Sequence, residues 1–135
     1  MKRILLIEDD ENIRRMLLMS LESYGYLVTE AGDGKEGLAS YKASPADLVI
    51  TDLVMPEKEG LETIRELRKT NPRVKIIAMS GGSRSNAGEN LKMAKLFGAA
   101  ALVSKPFEVS KLAQTIAELL GERPADGAVQ ANAPK

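Results

Sequence analysis

Five short apolar runs constrain the fold more than any other feature of the chain: RILLI at 3–7, YLVTEA at 26–31, DLVIT at 47–51, VKIIAM at 74–79 and AALV at 100–103. Near-continuous apolar runs of this length fit strands covered on both faces, as in a parallel sheet. Between them, apolar residues return at helical spacing. Ile13, Met16, Leu17, Leu21 and Tyr24 form one stripe, begun by Asp10 as an N-cap and closed by Gly25. Asp33 can cap a short helix bearing Leu38 and Tyr41, and Leu61, Ile64, Leu67 and Arg68 mark a third helix ended by Pro72. ENLKMAKLFG reads as a fourth ending at Gly98, and Val109, Leu112, Ile116, Leu119 and Leu120 make a fifth, stopped by Gly121 and Pro124. A fivefold strand–helix alternation with right-handed crossovers predicts an α/β, doubly wound five-stranded parallel sheet with helices on both faces. Residues 1–121 are expected to form that domain. Residues 122–135, ERPADGAVQANAPK, lack periodicity and large apolar side chains and are expected to be a disordered C-terminal tail.

Composition narrows the chemistry. The 135 residues contain no cysteine and no histidine, which leaves no disulfide, thiol nucleophile, Ser-His-Asp triad or imidazole ligand. Carboxylates, hydroxyls, amines and the backbone must do any work, and the metal suited to such oxygens is hard, such as Mg²⁺. Nineteen basic residues balance nineteen acidic ones, so no basic footprint points to direct nucleic-acid binding or to an anionic membrane. No apolar run approaches the roughly 20 residues of a membrane span, and the apolar stretch after Met-Lys-Arg is too short for a signal peptide. A cytoplasmic location without membrane insertion is expected.

In a parallel sheet all strand C-termini lie on one edge, where open α/β sheets bind ligands. The residues just past the runs can therefore be read together. Glu8 and Asp9 follow the first, Asp52 the third, Ser80 with Gly81 and Gly82 the fourth, and Ser104, Lys105 and Pro106 the fifth. Nothing comparable follows the second, as expected of an edge strand. Three carboxylates on one rim repel: two unit charges 4 Å apart cost about 4 kcal/mol at an effective dielectric near 20. Something positive must offset this, Lys105 or a divalent cation, or a proton must be retained. An ion held by the acids would polarise a phosphoryl group and leave a carboxylate oxygen to attack phosphorus. Lys105 and Ser80 would hold the phosphoryl oxygens, and Gly81 would let the backbone approach closely. Singly, each residue has an ordinary reading: Asp52 as a turn or cap, Glu8 and Asp9 as a solvated helix start, Ser80 as loop, Lys105 as surface. Their registration on one edge outweighs those readings.

The motifs ILLIEDDENIR, DLVITDLVMPEKEG, IIAMSGG and GAAALVSKPF resemble, in order and spacing, the receiver domain of bacterial response regulators over residues 2–121. The resemblance implies a flavodoxin-like strand order 2-1-3-4-5 with five helices. It implies Asp52 as phosphoacceptor, Glu8 and Asp9 as the acidic pair for Mg²⁺, Val54 as donor of a backbone carbonyl to the metal, Ser80 as switch hydroxyl and Lys105 as phosphate-binding lysine. The donor would be a sensor histidine kinase or phosphotransfer protein, and the output contact with a downstream protein would use roughly residues 89–120. The chain departs from the family at Leu102, a switch position often held by an aromatic residue. Val54 and Gly82 offer no polar side chain to orient water, so slow self-dephosphorylation is expected.

Three functions stand side by side. The first is a stand-alone, chemotaxis-regulator-like phosphoacceptor that catalyses only its own phosphorylation and dephosphorylation. The second is a Mg²⁺-dependent phosphohydrolase with an aspartate nucleophile, although the position two residues after Asp52, where such enzymes carry an acid/base aspartate, is Val54. The third is a receiver-like scaffold that takes no phosphate.

Overall fold

The computed structural model describes residues 2–52, 57–80, 98–104 and 108–121, with backbone alone at 57–59, 80 and 104. Strands and helices alternate: β1 (Arg3–Ile7), α1 (Glu11–Ser23), β2 (Leu27–Ala31), α2 (Gly34–Ala43), β3 (Leu48–Asp52), α3 (Glu57–Thr70), β4 (Ile76–Ser80), β5 (Ala101–Ser104) and α4 (Val109–Leu119). The five strands form one sheet in the order β2-β1-β3-β4-β5, and every pair is parallel. The expected sheet and strand order are therefore found. Four helices stand among the described residues. The helix expected up to Gly98 and the tail expected at 122–135 lie outside them.

Period-two alternation divides the apolar side chains between two cores. Leu5, Ile7, Val49, Ile76 and Ala78 point to one face and pack with Tyr41 of α2 and Ile64 and Leu67 of α3. Ile4, Leu6, Leu48, Ile50, Ile77 and Met79 point to the other and pack with Leu17 and Leu21 of α1 and Leu112 and Ile116 of α4. Because β1, β3 and β4 are covered on both sides, their sequences read as unbroken apolar runs. Each fully buried Leu or Ile contributes about 1.5–3 kcal/mol. β2, at the sheet's edge, alternates exposed and half-buried residues, and Leu27 is among the few large apolar side chains left in solvent.

Local chemistry sets the helix starts. The Asp10 carboxylate accepts from the Ile13 N–H at 3.0 Å and opens α1; Asp33 accepts from the Glu36 N–H at 2.8 Å and opens α2. Gly25, just past α1, has φ +96°, a left-handed conformation that stops the helix at little steric cost. Gly37 serves a different purpose. A Cβ there would overlap Ile7 Cδ1 and lie 2.7 Å from Ile7 Cγ1, so its bare backbone lets α2 settle on the end of β1.

Strand limits differ slightly from the apolar runs, because pairing rather than hydropathy decides them. β3 extends through Asp52, whose backbone pairs with Met79, and β4 runs to Ser80, which pairs with Ser104. At the other end of β4, the Val74 N–H turns back to the Asn71 carbonyl at 3.0 Å, so Val74 closes a turn instead of opening the strand.

Candidate functional site

Alternation and register bring the acidic residues together. Ile7 of β1 pairs with Thr51 of β3. The next residue on each strand is Glu8 and Asp52, and both belong to the face that carries Leu6 and Ile50. Glu8 extends the ladder by donating its N–H to the Ala31 carbonyl at 3.1 Å. Carboxylate oxygens of Glu8, Asp9 and Asp52 consequently lie within 4.8 Å of one another. Glu8 is 0% exposed and Asp52 1%, while Asp9 stands in solvent at the mouth of the cluster.

Such an arrangement is costly without a cation. At 4.8 Å and an effective dielectric near 20, each pair of charges repels by about 3–4 kcal/mol, and burial adds a desolvation penalty. Local donors offset part of it. The Asp10 N–H donates to Glu8 Oε2 at 3.1 Å, and the N-terminal end of α1 begins one residue later. The donor set fits a hard divalent ion. Mg²⁺ takes oxygen ligands at about 2.0–2.1 Å, so two opposite ligands stand about 4.2 Å apart, close to the observed spread. One carboxylate on the solvent side leaves room for waters and an incoming oxygen.

Other residues expected at the site fall as follows. Ser80 ends β4 on the same rim, one position beyond the strand partner of Asp52. Leu102 pairs with Ala78 and packs, half-buried, against the core on the α2–α3 side. Val54, Gly81, Gly82 and Lys105 lie outside the described residues. Ile7, Thr51, Ala78 and Leu102 form one row across the sheet, immediately below the acidic cluster. Thr51 in that row is 0% exposed, and its Oγ1 has no hydrogen-bond partner among the described residues.

Sequence reasoning missed two residues. Arg14 Nη1 donates to the Glu8 backbone carbonyl at 2.9 Å, and its Nε donates to Glu30 Oε1, also at 2.9 Å. The signal was present. Arg14 precedes Leu17 and Leu21 by one and two turns on the buried stripe of α1, and Glu30 is two residues after Val28, which faces the same core. A charged residue at a core-facing position needs a partner, and here the two meet.

Comparison with known proteins places the chain in context. The model of the response regulator receiver domain matches residues 4–117. The response regulator receiver protein CpdR of Brucella abortus (strain 2308) is 35% identical over 126 residues, covering 89% of this chain and 98% of that protein. The sensor kinase CckA of the same organism is 39% identical over 119 residues, covering 87% of this chain but 12% of that protein. Among solved structures, a CheY-like response regulator receiver domain protein from Methanospirillum hungatei JF-1 superposes with a TM-score of 0.82 at 32% identity, covering 94% of this chain and 99% of that one. No helix among the described residues is long and apolar enough to cross a membrane.

Proposed function

Because the chain belongs to the response regulator receiver domain family, we propose that it is a phosphoacceptor of two-component signalling in which Asp52 takes a phosphoryl group from a phosphohistidine. The observation that carries this reading is the cluster itself: a buried aspartate at a strand end, its oxygens within 4.8 Å of two further acids. A carboxylate oxygen of Asp52 attacks phosphorus in line with the P–N bond. That bond breaks, its electron pair returns to the imidazole nitrogen, and a proton from solvent restores the neutral ring. The product is an acyl phosphate on Asp52.

Glu8 and Asp9, with Asp52 and the Val54 carbonyl, would hold Mg²⁺. Once bound, the ion neutralises the cluster and draws charge from the phosphoryl oxygens. Lys105 and Ser80 would grip those oxygens, with Gly81 allowing close backbone approach. Burial of Asp52 keeps its attacking oxygen close to a single geometry, since the β3 backbone is paired on both sides. The added phosphoryl charge and acceptor oxygens then bias the conformations open to Ser80 and Leu102, and with them the binding of a downstream protein. The donor in this reading is a sensor histidine kinase or phosphotransfer protein, the location the cytoplasm, and the folded unit residues 1–121. Output in this reading passes through contact with a downstream protein.

Incubation with acetyl phosphate and Mg²⁺, followed by intact mass measurement, tests the reading. One phosphoryl group is expected on the wild type, and none on Asp52→Asn or in the presence of a chelator. Repeated turnover of small phosphate esters would favour the phosphohydrolase. No phosphorylation, with partner binding indifferent to Asp52→Asn, would favour the scaffold.

A further inference from the structure

We infer that Arg14, locked in place by Glu30, is a positioning residue that fixes Glu8 for metal binding; the inference rests on the reading of the acidic cluster as a Mg²⁺ site. At least three hydrogen bonds hold Glu8. Its N–H donates to the Ala31 carbonyl at 3.1 Å, its Oε2 accepts from the Asp10 N–H at 3.1 Å, and its carbonyl accepts from Arg14 Nη1 at 2.9 Å. The first joins two backbone groups and the second is donated by a backbone N–H, so both donors come with the fold. The third comes from a side chain with many rotamers, and so needs its own anchor. Glu30 supplies it through the 2.9 Å bond to Arg14 Nε. A guanidinium suits the task because its rigid fork can serve two acceptors at once. The side chains of Arg14 and Glu30 are 18% and 31% exposed, whereas the neighbouring Arg15 is 61% exposed and reaches Glu30 only at 3.8 Å. The Arg14–Glu30 pair thus joins α1, the end of β1 and the edge strand β2 around the peptide that carries a metal ligand.

Charge and geometry make opposite forecasts, which allows a clean test. If Arg14 acted only as a positive charge near the acids, removing it would tighten Mg²⁺ binding and Arg14→Lys would change nothing. If it positions Glu8, Arg14→Lys keeps the charge but loses the fork, and binding weakens. Outer partners that orient metal ligands are typically worth about 10–100-fold in affinity.

The experiment is calorimetric titration of the unphosphorylated protein with Mg²⁺, without phosphodonor, for wild type, Arg14→Lys, Glu30→Ala, the double variant and Arg15→Ala. Metal-free thermal melts accompany each titration. Arg14→Lys and Glu30→Ala are each expected to weaken Mg²⁺ binding about tenfold. The double variant should bind no worse than the weaker single, because both changes break the same link. Arg15→Ala should match the wild type. Wild-type affinity in Arg14→Lys, whatever its melting temperature, overturns the positioning role, as does a double variant in which the two losses multiply. A wild type that bound no Mg²⁺ would remove the site itself, a failure distinct from the first.

Discussion

Thr51 and Asp52 are neighbours on β3 and both are buried, but they point to opposite faces of the sheet and meet different company. On the α1–α4 face, Asp52 joins Glu8 and Asp9, and an arginine and a helix start gather round them. On the α2–α3 face, Thr51 sits above an apolar core, and its hydroxyl has no partner among the described residues. The first face concentrates polar groups at a cost in stability that a bound cation can offset. The second is largely packing, and its buried polar group serves no evident chemistry. On β3 itself the acidic cluster therefore occupies one side and apolar packing the other.

The largest expected effect sharpens the contrast at its centre. Asp52→Asn should abolish phosphorylation by acetyl phosphate. It should also raise metal-free stability by on the order of 3 kcal/mol, since one charge leaves a repulsive cluster. Urea titrations with and without Mg²⁺ check this: the variant should gain without the ion and respond less to its addition. A loss of metal-free stability would show that the cluster is not strained as described.

Cutting into each core compares the two faces directly. Leu17→Ala under α1 and Leu67→Ala under α3 empty fully buried sites, and each should cost about 2–5 kcal/mol. Both should leave a single cooperative transition by circular dichroism and tyrosine fluorescence. Two separated transitions would mean that the faces melt independently and that the sheet does not couple them.

Smaller effects are expected near the seam. Gly37→Ala gains helix propensity of at most about 1 kcal/mol, but its methyl group must displace Ile7 in a packed core, at about 1–3 kcal/mol. The net should be a loss of about 1 kcal/mol and, because Ile7 adjoins Glu8, weaker Mg²⁺ binding, measured by calorimetry. Unchanged affinity would disconnect α2 packing from the site. Smallest of all, Thr51→Val replaces a hydroxyl that has no partner among the described residues with a methyl group of similar shape, and should stabilise by up to about 1 kcal/mol. A destabilised Thr51→Val in chemical denaturation would indicate that the hydroxyl has a use.

Much of this was legible along the chain because it is local. A helix begins where Asp10 or Asp33 can accept a hydrogen bond three residues on, and ends where Gly25 can turn left-handed. A strand covered on both faces must be apolar throughout, so 3–7 and 47–51 announce themselves. The acids at the rim were visible for the same reason, as charges that stop apolar runs. Arg14 and Glu30 were overlooked because each alone looks like a surface charge on an amphipathic element. Only their common inward direction, a property of two segments at once, marks them as a pair.

Sequence alone thus determined the five strands, the four described helices, the caps of α1 and α2, the parallel character of the sheet and the acids at its edge, since periodicity and capping act over a few residues. The strand order rested on family resemblance, not on spacing. Tertiary structure alone decided that Ile7 pairs with Thr51, so that Glu8 meets Asp52, and that Arg14 reaches past its own helix to Glu30 and the Glu8 carbonyl. Register is a choice among pairings remote in the chain, and it is made by the packing of both cores together; no short stretch of residues carries it.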